Sequence, residues 1–181
     1  RRMILMALLE NNNKNFSVKK MTQLSVLLTM AVIIFVLEMQ LPPLTPIPGI
    51  KMGLSNIITL VVMILFSRKD AFLVLVLRII ISSIFAGQMT AFMYSIAGGV
   101  VSFCVMSLLT LFMNKDKLWV ISVFGAIGHN IGQILMAVFI TSTWGIALYF
   151  PVLFISGVIT GAFTGITTQL LLKRIKGKIK I

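Results

Sequence analysis

Acidic side chains are the scarcest chemistry in this chain: only four Asp and Glu stand among 181 residues. Glu10, Glu38, Asp70 and Asp116 form no acid-rich cluster of the kind that holds Mg2+ and a diphosphate. A Ser/His/Asp set is not evident either. The single histidine, His129, excludes haem ligation by a histidine pair. One cysteine, Cys104, permits no internal disulfide and no Cys-rich metal site, and its apolar run suggests an inert core thiol. A Walker A loop is missing, so the chain cannot couple ATP hydrolysis by itself. These absences predict a protein that is not an enzyme, with no catalytic residue, no metal and no intrinsic cofactor.

Charge of any kind is rare, at 11%, whereas 59% of residues are hydrophobic and the mean hydropathy is +1.07. A soluble domain of this size cannot hide so much apolar surface. A bilayer core of ~30 Å takes ~20 apolar residues per helix, which leaves material for five or six spans. The formal charge of +12 does not form a basic patch interleaved with aromatics, so nucleic acid is not an expected partner. The basic residues instead cluster between apolar runs and at both ends.

Six apolar stretches are expected to span: 21–40, 52–66, 71–87, 89–113, 118–141 and 148–172. The second is short, at ~22 Å of helix. Residues 1–20 read as an N-terminal segment, an added or trimmed end with at best a short amphipathic helix and no cleavage pattern of a signal peptide. Residues 21–173 form the membrane domain, and 174–181 a basic tail. With the N-terminus inside, all but two of the 16 basic residues fall on cytoplasmic segments, and the outer connections near Gln88 and 142–147 carry none. Lys and Arg near span ends resist translocation, so both termini are expected in the cytoplasm.

The two remaining cations are Lys51, at the outer mouth of the second span, and Arg78, in the middle of the third. Intramembrane ionisable residues face a cavity or a partner. Four of the five prolines lie in the connection 41–50, which is too apolar for a wet loop and reads as a re-entrant cap over the outer end of the bundle.

On the fifth span, His129 and Gln133 lie one above the other with Asn130 on the adjoining flank, on a helix thinned by Gly125, Gly128 and Gly132. The second span opens with Lys51, Ser55 and Asn56. Glu38 ends the first, and Tyr94, with Ser95 beside it, lies just inside the fourth. All of these fall in the middle or outer half of the bilayer, which predicts a ligand pocket opening outward. Two cations against Glu38 favour an anionic or carbonyl-rich ligand. The predicted ligand-binding set is Glu38, Lys51, Ser55, Asn56, Arg78, Tyr94, His129, Asn130 and Gln133. Gly157, Gly161 and Gly165 make one smooth face, with a weaker version at Ser25 and Thr29, suited to helix packing or to a subunit contact.

The run Pro48-Gly49-Ile50-Lys51-Met52-Gly53-Leu54-Ser55-Asn56 resembles the Gx transporter family, also labelled heptaprenyl diphosphate synthase component I. Arg78, Ala97-Gly98-Gly99, the Gly125 to Gln133 segment, and Tyr149-Phe-Pro151 with Ser156-Gly157 agree with it, so the resemblance covers roughly 21–174. The family is similar to the S components of energy-coupling-factor (ECF) vitamin transporters. That resemblance implies an all-α bundle of six transmembrane helices in the bacterial cytoplasmic membrane. It also implies a substrate-binding subunit that works with a separate transmembrane subunit and ATPases. S components meet the coupling subunit through alanines four apart on the first helix; Ser25 and Thr29 stand in the corresponding region here. The same family implies an alternative class, a membrane subunit of quinone or isoprenoid metabolism. A variant of it passes electrons from quinol outward beside a flavin-bearing membrane protein, with quinone or flavin as bound ligand.

Overall fold

A computed structural model describes residues 18–41, 51–113 and 117–178. The predicted N-terminal segment up to residue 17, the Pro-rich cap at 42–50 and the end of the basic tail lie outside these residues.

Six α-helices follow one another, with no β-strand among the described residues: α1 (Val18–Met39), α2 (Asn56–Leu65), α3 (Arg68–Ala86), α4 (Met89–Phe112), α5 (Leu118–Thr141) and α6 (Phe150–Lys178). A short 3-10 helix, Trp144–Tyr149, leads into α6 where the sequence suggests a plain connection. The chain is an all-α multi-pass membrane bundle. Four stretches, 18–39, 89–112, 118–141 and 144–174, are each long and apolar enough to cross a bilayer. Leu108, Leu111, Phe112, Phe139 and Phe163 are exposed around the bundle, as suits contact with hydrocarbon tails. Cys104 is among the exposed residues and is not a core thiol.

Local chemistry explains the ends. Ser67 caps α3 by accepting from the Asp70 N–H at 3.2 Å, while its hydroxyl donates to Asp70 Oδ2 at 2.6 Å. Gly87 stops the same helix with φ +63°, a left-handed cap that glycine adopts without strain. Lys20 at the start of α1 pairs with Asp70 at 2.9 Å and ties the two helix starts together.

The second span departs most from expectation. Residues 51–53 are not helical, and α2 is only 10 residues long. It is short because it sits inside the bundle rather than around it. Every residue from Ser55 to Met63 is buried, and α2 touches all five other α-helices. A helix that is apolar all round belongs in a core. Around it, α5 packs tightly along both α4 and α6, while α1 packs chiefly on α2 and α3. Gly132 lets α5 approach α4, because a Cβ there would lie 2.6 Å from the Ala97 carbonyl oxygen. Gly161 does the same between α6 and α5, where a Cβ would meet Val123 Cα at 2.6 Å.

Candidate functional site

The segment leading into α2 is held from several sides. Gln133, with its amide oriented so that each end meets a complementary group, donates to the Lys51 carbonyl at 2.8 Å. Its oxygen accepts from His129 Nε2 at 3.2 Å and from the Lys51 N–H at 3.3 Å. Glu38, at the last turn of α1, accepts from the Gly53 N–H at 2.6 Å. Gly53 takes φ +77°, and its missing side chain leaves room for the imidazole: a Cβ there would lie 2.7 Å from His129 Cδ2. Gly98 of α4 flanks the same ring, where a Cβ would lie 2.7 Å from Nδ1.

Arg78 comes up from α3 with 3% of its surface exposed. Its guanidinium donates to the Ser55 hydroxyl, and to Asn56 Oδ1 at 3.3 Å. Gly99 opens space for it, by letting Leu75 and Ile79 lie close to α4. The Lys51 ammonium rests 3.4 Å from the centroid of the Phe35 ring, a cation–π contact. Among the described residues, the donors Lys51 Nζ, Arg78 Nε and Ser82 Oγ and the acceptor Glu38 Oε2 are buried without a hydrogen-bond partner, so the site holds polar capacity, mostly of donors, that these residues do not use.

These groups surround one cavity, to which Glu38, Lys51, Arg78, Ser82, His129 and Gln133 all contribute. Its volume is about 10 Å3, room for about one water. The structure therefore shows a chamber largely filled by its own side chains. Its surroundings carry one acid and two cations, beside the N-terminal end of a helix that begins inside the bundle. Such an end favours negative charge through its dipole. The N–H groups of Asn56, Ile57 and Ile58 are already taken by the Gly53, Leu54 and Ser55 carbonyls, so the amide that meets the carboxylate is that of Gly53.

Of the nine residues in the predicted set, six line this chamber: Glu38, Lys51, Ser55, Arg78, His129 and Gln133. Asn56 stands behind it, holding Arg78. Two stand apart. Asn130 turns to α6 and donates to the Leu153 carbonyl at 2.6 Å, although it is one residue from His129. Tyr94 is buried in an apolar cluster with Ile134, Ala137, Ile146 and Leu153; its neighbour Ser95 reaches the chamber instead. One step along a helix is a turn of 100°, enough to exchange one face for another. Lys51 and Ser55 are not a helical turn apart, since the helix starts at Asn56.

Phe35 and Ile79 are lining residues that sequence reasoning missed; an apolar side chain in an apolar run carries no signal of a site. Ser25 and Thr29 are exposed on α1, where Thr29 donates to the Ser25 carbonyl at 2.9 Å. Gly157, Gly161 and Gly165 lie against α5 at Asn130, Val123 and Trp119. Among the described residues, no three of His, Cys, Asp and Glu gather where they could hold a metal ion.

A family model described as heptaprenyl diphosphate synthase component I matches residues 27–171. That range takes in every residue of the chamber and leaves out only the two ends. No curated protein and no solved structure matches the chain.

Proposed function

We propose, on the premise that this chain belongs to the heptaprenyl diphosphate synthase component I family, that it is a binding subunit of a membrane transporter of the ECF type. It takes an anionic or carbonyl-rich small molecule from the outer side of the membrane. The observation that carries this reading is the chamber: two cations, an imidazole and an amide converge on the start of a buried half-length helix, in a bundle whose other buried polar side chains, among the described residues, are all uncharged. Hydrocarbon tolerates such groups only where they meet a partner or a cavity. The unused donors at Lys51, Arg78 and Ser82 are those an anion would satisfy.

The family name speaks of a synthase component. With four acids in the whole sequence and no acid-rich cluster, the chain is better suited to binding than to diphosphate chemistry. Energy for transport comes from separate ATPase subunits, and the bacterial cytoplasmic membrane is its location.

The chamber holds about one water as it stands. Binding of anything larger opens it first, so apparent affinity is reduced by the cost of that opening. Mass spectrometry of the protein purified in mild detergent tests the proposal. A co-purifying small anion that wild type retains and Arg78→Ala loses, at unchanged folding, is the expected result. A quinone or flavin seen by absorbance would instead assign the chain to electron transfer, and equal retention by both proteins would remove Arg78 from the site.

A further inference from the structure

Two side chains from a single helix line the chamber. Phe35 and Glu38 lie three residues apart on α1, so their Cβ atoms are roughly 5–6 Å apart on one face. Both are 5% exposed, and both line the cavity. Phe35 lays its ring under the Lys51 ammonium, and Glu38 puts its carboxylate on the Gly53 N–H. Each half of this pair thus covers one attractive feature of the floor: a cation that prefers a π face, and an amide beside a helix N-terminus that prefers a negative oxygen.

We propose that Phe35 and Glu38 form a tethered plug that occupies the seat of the ligand, and that the ligand is an aryl carboxylate. Its ring takes the place of Phe35 against the Lys51 ammonium, and its carboxylate takes the place of Glu38 at the Gly53 N–H. This inference rests on the binding reading given above and names the ligand class for it. Three features support it beyond the contacts themselves. Among the described residues Lys51 Nζ, Arg78 Nε and Ser82 Oγ find no hydrogen-bond partner, and neither does Glu38 Oε2, so the carboxylate as α1 holds it does not reach the donors around it. The cavity left beside the plug is about 10 Å3, so the seat has no room for a ligand while the plug is in place. Both plug residues belong to α1, which packs chiefly on α2 and α3, so one displacement of one helix withdraws both.

Chemical rescue tests this with the full chain in mild detergent. Glu38→Ala empties the carboxylate seat but keeps the Phe35 ring. Acetate is expected to raise the thermal midpoint of this variant and to leave wild type unmoved. Phe35→Ala/Glu38→Ala empties both seats and is expected to bind benzoate at least tenfold more tightly than acetate, and more tightly than neutral benzamide. Should Glu38→Ala not fold, Glu38→Gln keeps the shape without the charge. That variant is expected to bind benzoate at least tenfold more tightly than wild type, and equal affinity overturns the plug. Failure of both acids to stabilise folded Glu38→Ala overturns the carboxylate seat. Equal binding of acetate and benzoate by the double variant overturns the aryl assignment. A wild-type chain that carries a co-purified anion, while no variant responds, keeps the binding reading and removes this one. Clean rescue in variants of a chain that retains nothing does the reverse.

Discussion

Gly53 meets two demands that no other described glycine meets together. Its φ of +77° lies in the left-handed region, and a Cβ would press on the His129 ring. Gly87 shares the first demand, at φ +63°, but has open space around it. Gly53→Ala is therefore expected to cost about 3 kcal/mol, from backbone strain and overpacking together. Gly87→Ala is expected to cost about 1 kcal/mol from the backbone alone. Chemical unfolding in detergent measures both, and equal losses would show that the imidazole yields. Asn130 and Gln133 supply a second contrast. Asn130→Ala removes the hydrogen bond to Leu153 and is expected to lower stability by about 1 kcal/mol while anion retention persists. Gln133→Ala unpins the Lys51 backbone and His129, and is expected to abolish retention. Retention lost in both variants would place Asn130 in the site after all.

The elements differ in how firmly they are held. The interface of α5 and α6 depends on close backbone approach at Gly161, where a side chain would meet Val123 and Ser122. Gly161→Leu is expected to separate the two helices and to appear as loss of monodisperse protein on size exclusion, whereas Gly145→Ala, with only Thr143 nearby, is expected to behave as wild type. On the other side of the bundle, α1 is tied to α3 by Lys20 and Asp70. Burial by itself raises the Asp70 carboxyl, but hydrogen bonds from Ser67 and Lys20, with the Lys20 charge, outweigh it and hold the group below the usual carboxylate range. The folded value is the lower one, so the link stabilises fully above about pH 4 and is lost as pH falls through the depressed value. A partly exposed pair of this kind contributes about 0.5 kcal/mol. The difference in melting temperature between wild type and Asp70→Asn is expected to be small at pH 7 and to close on acidification. A gap that widens in acid would contradict the assignment.

At the scale of the whole molecule, the chamber groups gather near the end of the bundle where α1 finishes and α2 begins. The Lys20–Asp70 pair marks the start of α1 and the start of α3. Basic residues crowd the segments on that second side, and the connection near Gln88 carries none. Cytoplasmic retention of basic segments then predicts that a fluorescent protein fused at the C-terminus is active inside the cell. Alkaline phosphatase inserted at Gln88 is expected to be active outside. Activity of both reporters on one side would break the six-span topology and, with it, access to the chamber from outside.

Composition and the placing of charge were enough, without coordinates, to indicate a six-helix membrane bundle. Hydrocarbon leaves a chain this apolar few other ways to satisfy its backbone. Helix ends such as α5, Leu118–Thr141, were legible because polar breaks bound an apolar run. The polar residues of the chamber were legible as a group, since each stands out against an apolar background. Which of them share a space was not. The rotation of α4 sends Ser95 inward and Tyr94 away, and α5 aims Gln133 at Lys51 but Asn130 at Leu153. The placing of α2 inside the bundle, and of the Phe35 ring under the Lys51 ammonium, came only from packing. A hydrophobic side chain in a hydrophobic run looks the same in sequence whether it faces lipid, core or cavity, and only its neighbours in three dimensions tell these apart.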